Sequence, residues 1–196
     1  MKTVTYFGAA ALLIAFAYVV FRVIVRREYQ WKGRATLLTS LLEMLVVCLY
    51  LSFPLLYNPP RWMAVWSRKV PVSEPLRIVG HVCIAVGLAA SFGTMFWFGI
   101  RRAFGLQVKG LIQSGPYRLT RNPQLVFFVL VVLGCVVLWP SWYALGWVTL
   151  YGMVFHPMVV TEEEHLLAVF GEEYARYCRR VPRYVALWWK RKEGAA

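Results

Sequence analysis

Aspartate is absent from this 196-residue chain: all nine acidic residues are glutamates, set against 22 lysines and arginines. A Ser-His-Asp triad is therefore excluded, and its glutamate variant would lack a G-x-S-x-G nucleophile turn. No P-loop and no G-x-G-x-x-G occurs, so the usual glycine-rich phosphate cradles are missing too. Cysteine is sparse. Cys48, Cys83 and Cys135 lie within apolar runs, Cys178 lies beyond them, and no C-x-x-C pair forms. Neither a disulfide framework nor a zinc site is indicated. Glu162-x-x-His165 sets a carboxylate and an imidazole on one helix face. That spacing serves carboxylate-bridged di-metal bundles, but those need two such motifs and this chain has one, so no metal is expected.

What is abundant is apolar residues: 60% of the chain, with a mean hydropathy of +0.55. Soluble domains are nearer half apolar. Apolar runs of about 20 residues recur, each long enough to cross ~30 Å of hydrocarbon. The chain is therefore expected to be an all-α, polytopic membrane bundle of about five transmembrane helices. The net charge of +13 fits basic flanks facing anionic headgroups, and no nucleic-acid motif accompanies it.

Span 1 is expected at Val4 to Val25, followed by a polar loop from Arg26 to Arg34. Its length, and Arg22 without a small-residue cleavage site, argue for a retained span over a signal peptide. Span 2 covers Ala35 to Leu56. It carries Glu43 at mid-depth, where an ionisable group faces other helices, either as a contact to a polar ligand or as a structural carboxyl. A proline-interrupted connection from Tyr57 to Pro75 holds Trp62 and Trp66 for the headgroup layer. Span 3, Leu76 to Ile100, carries small residues (Gly80, Gly87, Gly93) that suit close helix approach within the bundle or across a dimer. Monomer and homodimer are both left open.

A cationic loop, Arg101 to Arg121, leads into Asn122-Pro123, an N-cap followed by a first-turn proline, so span 4 starts there and ends near Leu138. Span 5 is expected at Ser141 to Val160, with Pro157 kinking or ending it. Thr161-x-x-Glu164 has capping-box spacing and predicts a new, amphipathic cytoplasmic helix, which Gly171 interrupts and Pro182 stops. The tail with Trp188, Trp189, Lys190, Arg191 and Lys192 is expected at the membrane surface. Residues 1–101 thus form an N-terminal set of three spans, and residues 102–196 a hairpin with cytoplasmic helices.

Basic residues set the orientation. Arg22 to Arg34 holds five, Arg101 to Arg121 five and Arg176 to Lys192 seven, against five on the opposite side. The richer side is cytoplasmic. This gives a multi-pass protein (of the inner membrane in a bacterium) with both polar ends of the hairpin in the cytoplasm.

Those ends carry the candidate site. Gly115 permits close backbone approach, and Tyr117 offers a flat face. Asn122 sits at a helix N-terminus, where unpaired N–H groups suit a carboxylate. Glu162 can accept hydrogen bonds from ribose hydroxyls or an ammonium group. A ligand with a carboxylate, an amine, a ribose and a cationic centre suits these parts. Interfacial anchoring by Tyr117 and Arg121, with Glu162 to Glu164 favouring a helix start, is the alternative.

Three segments carry a resemblance: Ser114-Gly-Pro-Tyr-Arg-Leu-Thr-Arg-Asn-Pro123, Glu162-Glu-Glu-His-Leu-Leu167 and Phe170-Gly-Glu-Glu-Tyr-Ala-Arg-Tyr-Cys-Arg-Arg-Val-Pro182. In order and spacing they resemble the isoprenylcysteine carboxyl methyltransferase / phospholipid methyltransferase superfamily of integral membrane enzymes, across Arg102 to Arg183. The resemblance implies S-adenosylmethionine as cofactor and a lipid or lipophilic methyl acceptor. Carried over by position, Lys109, Gly110, Leu111 and Ile112 form a cofactor-binding loop, and Tyr117 lies against the cofactor. Asn122, Pro123, Gln124 and Leu125 continue that site. Arg121, Asn122 and Glu162 take the catalytic positions. The chain departs from the family where Asn122 replaces a frequent histidine and Leu125 a tyrosine. Met158 stands where the carboxyl methyltransferases have an arginine, which argues against a prenylcysteine carboxylate. A sterol-reductase-like NADPH enzyme and an inactive protein of the same fold are the competing expectations.

Overall fold

The computed structural model describes residues 2–56, 70–99, 102, 106 and 110–185. Among them there are helices and turns but no strand. Four helices are long and apolar enough to cross a membrane, and a fifth apolar helix is shorter, so the chain is a multi-pass membrane bundle. Lys109, Trp62, Trp66 and the tail with Trp188 to Lys192 lie outside the described residues.

The first helix is longer than its apolar run. α1 (Lys2–Tyr18) passes through a π-helical stretch, Val19–Val25, into α2 (Arg26–Lys32). The loop expected from Arg26 is therefore helical as far as Lys32. Loss of hydrophobicity marks where hydrocarbon ends, not where the backbone stops hydrogen-bonding. Gly33 ends the helix in the left-handed conformation (φ 66°), and its N–H donates to the Tyr29 carbonyl. Glu28 then reaches forward. Its carboxylate accepts from the Thr36 N–H (2.9 Å) and the Thr39 hydroxyl (2.7 Å), fixing the start of α3 (Leu37–Ser52) against the end of α2. Glu43 is half-buried on α3.

α4 (Glu74–Phe98) and α5 (Pro123–Leu138) form the tightest pair, and glycine is the reason. A Cβ on Gly134 would lie 2.6 Å from the Gly80 carbonyl oxygen, and one on Gly87 would lie 2.9 Å from that of Phe127. Gly80 and Gly87 of α4 are thus spent on α5. The Ser91 hydroxyl adds a bond to the Gln124 carbonyl (2.8 Å), pinning the first turn of α5. As the Asn122-Pro123 pair predicts, α5 starts at Pro123; its 16 residues span only ~24 Å at 1.5 Å per residue.

The last element departs most from expectation. α6 spans Trp142 to Arg180, 39 residues, with Pro157 inside it, and bends at Gly171, whose torsions are non-helical as the expected interruption there requires. The separate cytoplasmic helix expected from Thr161 is the far half of α6. Thr161 is 1% exposed, so it is no N-cap. Its hydroxyl donates to the Phe21 carbonyl (3.1 Å) and accepts from Arg22, while Glu164 pairs with Arg22 (2.9 Å) and Arg26 (2.8 Å). Both halves of the capping-box pattern are taken by the first helix. Burial of Val154, Phe155 and Val159 holds the chain helical across the proline. Nearer the opposite end, Tyr50 and Trp147 stack at 5.2 Å, the indole N–H donating to the Tyr50 carbonyl.

Length fixes what each helix reaches. At 1.5 Å per residue α6 is ~58 Å long, about twice the hydrocarbon thickness. Its first 20 residues cross the membrane, and Glu162 arrives at the polar boundary. The first helix overshoots in the same way and brings Tyr29 to that level.

The glycine crossing makes a prediction. Gly134→Ala should destabilise the full chain by about 1–3 kcal/mol through overpacking. Gly93→Ala, where a Cβ meets nothing within 4 Å, should be neutral or slightly stabilising. Thermal unfolding in detergent separates the two.

Candidate active site

Where α6 leaves the bilayer, a cavity of about 140 Å³ opens between it, the end of α2, the end of α4 and the segment leading into α5. Gly110, Leu111, Ile112, Tyr117, Arg121, Asn122, Gln124 and Glu162, all expected from the sequence, line it. Pro123 and Leu125 do not. Pro123 is buried as the first helical residue of α5, and Leu125 packs into the core, its carbonyl accepting from the Tyr151 hydroxyl (2.9 Å). Met158 also packs on the core, away from the cavity.

The floor is aromatic. Tyr117 lies in a 3-10 turn, Gly115–Arg118, and is 7% exposed. Phe98 stacks on it at 5.2 Å and Trp97 at 6.2 Å, and its carbonyl accepts from the Tyr177 hydroxyl (2.7 Å). Gly115 is required here twice over. Its φ is +58°, and a Cβ would lie 3.1 Å from the Trp97 ring. Burial, and then the negative charge of Glu162, push the Tyr117 phenol well above its ordinary pKa, so it stays a neutral face.

Glu163, beside Glu162, fixes the wall. Its carboxylate is 12% exposed and meets Arg121 at 3.1 Å. Arg183 donates to it from Nε (3.0 Å) and Nη2 (2.7 Å), and the pairing raises the pKa of the Arg183 guanidinium. The backbone follows the same path. The Arg121 N–H donates to the Pro182 carbonyl (2.9 Å), while the Thr120 hydroxyl and Asn122 Nδ2 both donate to the Arg183 carbonyl (3.1 and 2.9 Å). Asn122 therefore occupies the N-cap position without capping α5 through its side chain, because its amide is used on the returning chain. A donor is what that position needs, and asparagine supplies one.

Glu162 has no hydrogen-bond or ion-pair partner among the described residues, although it lines the cavity. Its neighbours include residues that sequence reasoning does not place in the site. His165 stacks flat on Tyr29 (4.0 Å, 10° between planes), and both line the cavity. Phe98, Arg102, Phe170, Tyr174 and Tyr177 join them. Tyr174 and Tyr177 reach the cavity from beyond the bend at Gly171 (φ 50°). Tyr29 is hidden from the sequence because Arg26 to Arg34 reads as a loop. The complementary pair, Arg22 and Arg26 against Glu164, is the signal that places it. Among the described residues no three of His, Cys and Glu converge as metal ligands.

A multi-pass helical protein with a polar-lipped, aromatic-floored cavity at one membrane face is the class this geometry defines. Residues 75–173, about half the chain, match the model of the family described as phospholipid methyltransferase, and the chain belongs to that family of membrane methyltransferases. It is 29% identical over 139 residues to the cobalt-zinc-cadmium resistance protein CzcN of Cupriavidus metallidurans. That match covers 71% of this chain and 60% of the relative's length. No solved structure matches.

Removing the charge at the centre of the wall should be costly. Glu163→Gln leaves two guanidinium groups facing each other, one of them 12% exposed. A loss of about 3 kcal/mol is expected for breaking a buried pair, read as a lowered unfolding midpoint of the detergent-solubilised chain.

Proposed function

We propose that the chain is an S-adenosylmethionine-dependent methyltransferase that methylates a lipophilic, membrane-borne acceptor from the cytoplasmic face. The observation that carries this reading is the unpaired Glu162 carboxylate on the wall of a cavity floored by aromatic rings. Burial, and then the charge of Glu163, raise the pKa of the Glu162 carboxyl to about 7, and a cationic or donor-rich ligand would favour its charged form. The cofactor fits this donor set. It has a sulfonium, an ammonium and ribose hydroxyls that Glu162 could meet, and a planar adenine to cover rings. Gly110 (φ +45°, with open space where a Cβ would stand) lets the backbone of residues 110–112 approach it closely.

When bound, S-adenosylmethionine supplies a methyl group on a positively charged sulfur, transferred in line to a nucleophile. The protein's part is positioning. Tyr117, held by ring contacts to Phe98 and Trp97 and by Tyr177 at its backbone, offers a π-system that attracts a cation. Arg121 and Asn122, fixed by Glu163 and the Arg183 carbonyl, keep the lip of the cavity in register. Lys109 belongs to the cofactor loop on the same reading, while Pro123 and Leu125 serve the start of α5 and the core. Placing donor and acceptor in contact and excluding water supplies several kcal/mol of the barrier reduction, about 7–11 for well-oriented reactants. No acid–base group is required when the acceptor is already an anion. The acceptor reaches the site sideways along the apolar α5–α6 hairpin. The abundance of basic residues beside the cavity supports the cytoplasmic placement.

Calorimetry on purified, detergent-solubilised protein tests the reading. S-adenosylmethionine and S-adenosylhomocysteine should bind at micromolar levels, NADPH should not, and Glu162→Gln should weaken S-adenosylmethionine about tenfold or more through a lost charge-assisted bond. Binding of NADPH in their place would move the chain to the reductase reading. Binding of none would leave a protein of this fold without the activity.

A further inference from the structure

Four charged side chains among the described residues line the cavity: Arg102, Arg121, Glu162 and Glu163. Two of them neutralise each other, since Glu163 takes Arg121 at 3.1 Å and, from outside, Arg183 at 2.7 Å. The remaining two, Glu162 and Arg102, have no ion-pair partner among the described residues. Arg102 follows the last turn of α4. One of its Nη2 donors reaches the Gly110 carbonyl (3.2 Å), and its guanidinium lies 5.8 Å from the centre of the Phe98 ring, which itself stacks on Tyr117. A guanidinium carries five N–H donors in a planar fork, so most remain available to a planar anion.

Among the described residues the cavity thus presents one uncommitted cation and one uncommitted acidic side chain. We infer that this pair reads an α-amino-acid zwitterion: Arg102 holds the carboxylate of the methionine portion of the cofactor, and Glu162 faces its cationic part. The inference rests on the S-adenosylmethionine reading and assigns a residue to the one cofactor charge which that reading leaves unmatched. The phosphate of a lipid without a cationic headgroup would also suit a guanidinium, but it would leave Glu162 without a partner. An amino acid carries both complementary charges on adjacent carbons and satisfies both groups at once. Arg102 is therefore a specificity-determining residue. It admits a ligand with a carboxylate and disfavours adenosine derivatives that lack one.

The test is a cycle of binding constants measured by calorimetry on the full chain. S-adenosylhomocysteine is compared with its decarboxylated analogue, on the unaltered protein and on Arg102→Met. On the unaltered protein, removing the carboxylate should cost about 10- to 100-fold in affinity, the range of a charge-assisted bond. Arg102→Met should lose the same factor for S-adenosylhomocysteine and nothing further for the decarboxylated ligand, and Arg102→Lys should recover part of it. Equal losses for both ligands would mean that Arg102 only supports the fold, and would overturn the inference. So would unchanged affinity for S-adenosylhomocysteine in Arg102→Met. Affinity lost instead for vesicles containing phosphatidic acid would transfer the residue to lipid phosphate and overturn it too. No binding of S-adenosylhomocysteine to the unaltered protein would sink the cofactor reading itself, a result separable from the other three.

Discussion

One carboxylate ties the site together. Glu163 is held by Arg121, just before α5, and by Arg183, just after α6. The two arginines lie at opposite ends of the helical hairpin in sequence, and Glu163 lies on α6 between them. This contact, together with the hydrogen bonds from Arg121, Thr120 and Asn122 to the Pro182 and Arg183 carbonyls, holds the returning chain along the lip of the cavity. Glu163 is thereby spent on structure. Glu162, one residue earlier and turned about 100° around the helix, lines the cavity without an ion-pair partner among the described residues. Adjacent acidic residues with opposite duties follow from helical geometry alone.

Depth is the second constraint. A bilayer fixes where polar chemistry can happen, and helix length decides which residues arrive there. α6 carries Glu162 to the boundary after about 20 residues of apolar helix. The first helix carries Tyr29 to the same level, where Arg22 and Arg26 lock onto Glu164 and the Tyr29 ring lies flat on His165. α5 is short, and its N-terminus with Asn122 stays at the cavity. Glycines along α4 then let it lie tightly against α5 and bring Phe98 and Arg102 over the same opening.

The parts of this arrangement that are local in sequence are legible there. Asn122-Pro123 announces a helix start, and Gly115 a close approach. Eight of the residues expected for the site converge on one cavity because they cluster in two short segments. What sequence does not show is decided at long range. Thr161 and Glu164 have capping-box spacing, yet the groups that claim them belong to a helix some 140 residues earlier. Polar composition after Val25 reads as a loop, while Glu28 and Gly33 show that the helix continues and then stops by its own capping chemistry. Arg102 is one more basic residue in a cationic loop until the pairing of the others leaves it uncommitted.

Family membership makes methyl transfer the chemistry to test, and the cavity makes a specific claim about where the cofactor sits. Ultraviolet cross-linking of radiolabelled S-adenosylmethionine to the solubilised protein, followed by peptide mapping, examines that claim directly. Label displaced by S-adenosylhomocysteine and found on peptides carrying residues 110–124 or Tyr29 is the predicted result. Label that is absent, or that falls on α3 or another segment away from the cavity, would contradict it.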